Sequence, residues 1–185
     1  MTVNATVDEK QVLIFSFYRD AELRGARLLF NLVNHLKDGD SQLKLSRHLA
    51  DETRHAWLWT KRIADMGGEP VALGDGYQQR LGRRAGVPRD IIDLLALTVV
   101  VEERAQSHYI EHAARPDVDP ETLEVLKAVT EDETWHLAWV ERKMMEIAKE
   151  RGDEKRALDA LARYREIDRE VCETLKADEA ELKRA

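Results

Sequence analysis

The sequence predicts an all-α fold: a four-helix bundle with a long crossover between its second and third helices, followed by a fifth helix. Three observations carry this reading. Apolar residues recur at steps of three and four through five long segments. Helix-start and helix-stop signals separate those segments. The links between the first four are short, long and short. A chain of 185 residues, 43% hydrophobic and 35% charged with four prolines and nine glycines, has the balance of a helix-rich domain long enough to bury one sizeable core.

Taken in order, the first segment runs over about residues 7–37 and ends at the turn Asp38-Gly39-Asp40. The second starts after a cap at Ser41 and stops at Gly67-Gly68. Residues 69–87 are read as a Gly-rich, basic connection, after which Pro88 opens a third helix that ends near Arg115-Pro116. Asp119-Pro120 is a capping residue followed by proline in the first turn, which starts a fourth helix that Gly152 terminates. Asp153 caps the fifth. Two short links make each flanking pair antiparallel neighbours, and the long middle link lets the pairs join by a full-length crossover. The expected division is a bundle over residues 1–152 and a C-terminal amphipathic helix over 153–185, its stripe formed by Leu158, Leu161, Tyr164, Ile167, Val171 and Leu175 and packed on the bundle or on a second subunit.

Charge and cysteine content narrow the function classes. The formal charge is -7 with basic and acidic residues interspersed, which argues against nucleic-acid binding. Cys172 is the only cysteine, so neither an internal disulfide nor a CxxC metal knuckle can form. The N-terminal MTVNATVDEK lacks the basic and apolar regions of a signal peptide, and no apolar run reaches membrane-spanning length. A cytoplasmic protein with no membrane partner is expected.

The apolar stripes carry the chemistry. In the first segment Phe15, Tyr18, Glu22, Gly25, Leu29 and Leu32 share a face, so one glutamate points into the core. The second gives Leu45, Leu49, Glu52, His55, Trp59 and Ile63; the third gives Leu95, Thr98, Glu102, Ala105 and Tyr109; the fourth gives Leu126, Val129, Glu133, His136, Val140 and Met144. Each of the four helices therefore places a carboxylate in the seam. There is also an internal repeat: Asp51-Glu52-Thr53-Arg54-His55 and Asp132-Glu133-Thr134-Trp135-His136 share the pattern DETxH, 81 residues apart. Glu22 precedes Glu52 by 30 residues and Glu102 precedes Glu133 by 31, as in two halves related by a pseudo-twofold. Glu103 makes the second spacing 30 as well, but Glu102 fits the seam and is preferred.

Four buried carboxylates repel one another and lose hydration, at a cost of several kcal/mol each, roughly, unless compensated. Two divalent cations balance their charge, and neutral imidazoles complete the shell. Residues i and i+3 lie on one helix face about 4.5 Å apart along the axis, so an ExxH pair can bracket one ion. One ExxH is common in charged helices. Two, each paired with a seam glutamate at matched distance, form the Glu plus Glu-x-x-His pattern of dinuclear carboxylate bundles.

On these residues the chain resembles the ferritin-like di-iron superfamily, which includes rubrerythrins, bacterioferritins and demethoxyubiquinone hydroxylase, over about residues 10–150. DETRHA is similar to the second-helix motif of bacterioferritins, and Val101-Glu102-Glu103 with His108-Tyr109 is similar to the third helix of the hydroxylase. The resemblance implies a ferritin-like four-helix bundle holding two Fe ions, or Mn or a mixed Mn/Fe pair. It implies Glu52 and Glu133 as bridges and Glu22, Glu102, His55 and His136 as terminal ligands. Thr53 stands where bacterioferritins have a haem-ligating Met, so haem is not expected. No rubredoxin-like cysteine pairs are present, so electrons must come from an external donor. No apolar surface stretch favours a quinone substrate.

Other candidates have plainer alternatives. Tyr109 lies two turns beyond Glu102, where its hydroxyl either reaches the site as a catalytic group or is satisfied in the core. Asp51 and Asp132 either orient a ligand histidine of the opposite helix or are surface charge. His108 and His112 are read as solvated or as proton-transfer groups; His35 and His48 are ranked below them. Trp57, Trp59, Trp135 and Trp139 are read chiefly as core packing. The functional expectation is a homodimeric oxidoreductase in which a dinuclear iron site activates O2 or peroxide, to oxidise or hydroxylate a small substrate or to reduce peroxide. The competing class is a ferroxidase for iron storage or detoxification.

Overall fold

The structure, a computed structural model, describes residues 7–182. Residues 1–6 and 183–185, the outer ends of the two expected regions, lie outside the described residues. Among the described residues the chain is all helical, with no strand: α1 (Glu9–His35), α2 (Gly39–Asp65), α3 (Tyr77–Ala85), α4 (Ile91–Ala113), α5 (Pro120–Arg151) and α6 (Glu154–Leu182). None of these helices is long and apolar enough to cross a membrane.

Local chemistry sets the helix ends. Asp8 caps α1, its carboxylate accepting from the backbone N–H of Lys10 and Gln11. The cap of α2 is Asp38, which accepts from Ser41 N at 2.9 Å; this is three residues before Ser41, the cap read from the sequence, and Ser41 itself lies in the first turn. Asp90 caps α4, accepting from Ile92 N and Asp93 N. Asp119 caps α5, with Thr122 N at 2.8 Å, ahead of Pro120 in the first turn. The stops of α2 and α5 are alike. Gly67 (φ 76°) and Gly152 (φ 68°) take left-handed geometry, and the following residues, Gly68 and Asp153, donate back to Ile63 O and Ala148 O. The connection expected over residues 69–87 contains the nine-residue helix α3. Gln78, Gln79, Arg80, Leu81, Arg83 and Arg84 are all good helix formers, and they outweigh the single internal Gly82.

The helices form two compact units, one comprising the chain up to Gly74 with His108–Asp132, the other Asp75–Ser107 with the chain from Glu133 on. In the first, α1 and α2 are an antiparallel pair. Gln42 bonds Val33 O and Leu36 O beside the turn, Arg19 bonds Thr60 further along, and Val71 N bonds Ser16 Oγ near the far end. Phe15 stacks on Trp59 at 5.3 Å between centroids, and Tyr18 meets Trp59 at 4.9 Å and Tyr109 edge-on at 5.0 Å. Such ring pairs contribute about 0.5–1.5 kcal/mol each beyond the area they bury. Arg62 of α2 bonds Asp119 and Thr122 at the start of α5.

In the second unit α6 runs parallel to α4. Arg156 pairs with Asp90 near their starts, Arg165 with Glu103 further along, and Arg104 with Asp168. Asp168 also accepts from Tyr77 Oη of α3 at 2.7 Å, and Arg84 of α3 pairs with Glu170. Burial of the Tyr77 phenol, with the Asp168 charge beside it, pushes its pKa far up, so it stays a donor. On α6 the buried stripe is Ala157, Ala160, Leu161, Tyr164, Asp168 and Val171. Leu158, assigned to the stripe from sequence, is 55% exposed, because Ala157 and Leu161 occupy the packed face and leave it to the side.

Candidate metal centre

Every carboxylate expected in the seam is buried. Glu22, Glu52, Glu102 and Glu133 are 1–4% exposed, and His48, His55 and His136 are fully inside. Helical spacing explains the placement. On α2, Leu45, His48, Glu52, His55, Trp59 and Ile63 follow one another at steps of three and four and are all buried, so the face that packs is also the face that carries the candidate ligands. On α5 the matching line is Leu126, Val129, Glu133, His136, Val140 and Met144.

Two groups of these side chains can hold a metal ion. One is Glu22, Glu52, His55 and Glu133; the other is His48, Glu52, Glu102 and His136. Within each group one ligand atom from every residue lies within 4.8 Å of the others. Together the groups contain all six ligands expected from sequence and one more, His48. Glu52 belongs to both groups, and a carboxylate has two oxygens to divide between two ions. Glu133, expected as a second bridge, falls in the first group alone.

The individual contacts fit this donor set. His55 Nδ1 lies 3.5 Å from Glu22 Oε2, while its Nε2 is 3.1 Å from Asp132 Oδ2. With Nε2–H donating to Asp132, the Nδ1 lone pair faces the carboxylates, the arrangement in which metal-binding imidazoles are held. Asp132 is in turn paired with Arg54. His136 Nδ1 is 3.5 Å from Glu133 Oε2, and His48 Nε2 is 3.4 Å from Glu52 Oε1. Tyr109 Oη donates to Glu22 Oε1. At Gly25, a built Cβ would overlap Glu52 Oε2, so this position leaves room for the carboxylate that both groups share. Nitrogen and oxygen donors without sulfur suit iron, manganese or zinc. Cys172 is on α6 beside Asp168, where burial pushes its thiol pKa up.

The remaining candidates separate clearly. Glu103 is half-buried and paired with Arg165, whereas Glu102 is buried and in a ligand group. His112 is half-buried and 3.0 Å from Tyr18 Oη. Burial, then the charge of Arg115, lowers the His112 pKa; burial raises that of Tyr18 to about 12, so Tyr18 is the donor of the pair. These two sit beside a cleft of about 140 Å³ lined in part by Phe15, His112, Arg115 and Asp119, and none of the candidate ligands is in its lining. His35 and His108 are exposed, Trp57 is 58% exposed, and Trp59 is fully buried. His48 is the residue that sequence reasoning undervalued. From Leu45 a helical step of three reaches His48 and a step of four reaches Leu49; hydrophobicity favoured Leu49, which is only half-buried. The available signal was the spacing His48-x3-Glu52-x2-His55. Comparison of the chain with protein-family models, curated proteins and solved structures found no match.

Proposed function

We propose that the chain is a dinuclear iron carboxylate oxidoreductase that activates O2 or peroxide, with a small organic molecule or peroxide itself as substrate. The observation that supports this most directly is the pair of buried ligand groups sharing Glu52. Bound iron would supply the electron transfer and Lewis acidity that no side chain here can. In the same reading α1, α2, α4 and α5 make a ferritin-like bundle with residues 66–90 as its crossover, α6 packs on it, and the protein works as a cytoplasmic homodimer that draws electrons from an external donor.

The chain's own residues divide the remaining work. Glu52 spans the two positions. Asp132 fixes the ring of His55, and Tyr109 holds its hydroxyl proton against Glu22 Oε1. That places a proton donor next to a ligand carboxylate, where general acid catalysis contributes roughly 10²- to 10⁴-fold. Burial of the ligands limits the entering oxidant to small molecules. The test is consumption of hydrogen peroxide and of O2 by the iron-loaded chain with a chemical reductant, comparing wild type with Tyr109→Phe. The reading predicts turnover in the wild type and a loss of at least about tenfold in the variant at equal iron content. An iron-loaded chain that consumes neither oxidant, or that instead accumulates many irons per chain, contradicts it.

A further inference from the structure

We propose that His48 makes the two metal positions chemically unequal, so that they sort unlike divalent ions; this rests on the dinuclear reading above. On α2, His48, Glu52 and His55 share one buried face, and His48 Nε2 is 3.4 Å from Glu52 Oε1. On α5 the repeat has Val129 where α2 has His48, 81 residues earlier. The DETxH repeat is therefore symmetric, and the ligand set around it is not. With Glu52 shared, one group has the imidazoles of His48 and His136 and the carboxylates of Glu52 and Glu102. The other has one imidazole, His55, and the carboxylates of Glu22, Glu52 and Glu133.

Imidazole donors favour zinc, whereas carboxylates suit manganese nearly as well as other hard ions. The position with His48 prefers the nitrogen-seeking ion, and the carboxylate-rich position takes manganese. The Nε2 of this buried ring faces a carboxylate that itself belongs to both ligand groups, which sets His48 among the metal-binding candidates.

The experiment supplies the full-length, metal-stripped protein with one equivalent each of Zn(II) and Mn(II), then counts the metals on each chain by native mass spectrometry. In the exchange between two like pairs and two mixed pairs, each metal's overall affinity cancels. An excess of mixed chains over the random distribution thus measures only the difference between positions. The proposal predicts an excess on the order of tenfold or more, with isolated rather than spin-coupled Mn(II) in the electron paramagnetic resonance spectrum. His48→Val, which matches α2 to α5 and leaves one imidazole at each position, brings the distribution most of the way back to random. Random pairing in the wild type overturns the proposal while leaving the dinuclear reading intact, and it does so whether or not the variant folds. An excess that persists in both His48→Val and His48→Gln assigns the sorting to other residues and overturns it too. Less than one metal of either kind per wild-type chain sinks both.

Discussion

Gly25 lies in the middle of α1, where glycine costs about 1 kcal/mol relative to alanine, and nothing in the backbone there requires it. What requires it is the Glu52 carboxylate, whose Oε2 fills the space a Cβ would take. Gly25→Ala should therefore raise the helical preference of α1 and yet displace the shared ligand. The expected outcome is an unchanged far-ultraviolet circular dichroism spectrum with metal content reduced by at least half; full metal content would show that Glu52 has another place to go. Residue-scale legibility followed the same logic. The buried placement of the six glutamates and histidines was readable because polar side chains interrupt apolar stripes at regular helical steps. His48 was obscured because a neighbouring leucine satisfied the same periodicity, and Gly25 because a glycine on a packed stripe says nothing about which atom needs the room.

At the scale of the elements, α5 depends on its first turn. Asp119 accepts from Thr122 N and Thr122 Oγ1 and pairs with Arg62 of α2, so one carboxylate both caps α5 and ties it to α2. Burial alone would raise the Asp119 pKa, but the bonds from Thr122 and Arg62 outweigh it and hold the group at about 2. Asp119→Ala should destabilise the protein by about 1–2 kcal/mol at neutral pH, measured by urea unfolding. The sign of the pH dependence follows from the lowered pKa. The contribution is complete above the ordinary aspartate value near ~4 and is lost as pH falls towards about 2, so the gap between wild type and variant should close over that interval. A gap that stays constant down to about pH 2 would mean the carboxylate charge is not what caps the helix. Caps and stops of this kind were legible: Asp119-Pro120, Gly67-Gly68 and Gly152 all lie at helix ends. Helix α3 was not, because glycines on either side of a nine-residue segment read as loop until Leu81 is seen to be buried and Arg84 to pair with α6.

For the whole molecule, the antiparallel pairing of α1 with α2 was predictable from the short link between them, since long helices joined by a tight turn have no other partner so near. The parallel run of α6 beside α4 was not, because it rests on Arg104–Asp168 and Arg165–Glu103, contacts between residues more than sixty positions apart that no local pattern encodes. The ligand set also bears on stability as a whole. Four buried glutamates are costly together, and ions that bind them in the folded state alone add stability by mass action, about 2.7 kcal/mol at a hundredfold excess over Kd. Thermal unfolding should accordingly shift to higher temperature with added Fe(II) or Mn(II) under exclusion of air, and back on chelation; no shift would place the metal outside the core. The most direct measurement is iron content per chain with the absorption spectrum after Fe(II) and air, for wild type and for His136→Ala. The account predicts about two irons per wild-type chain, one for each ligand group, and a new near-ultraviolet band, both diminished in the variant. Substoichiometric iron in the wild type, or iron and spectrum unchanged by the substitution, would contradict it.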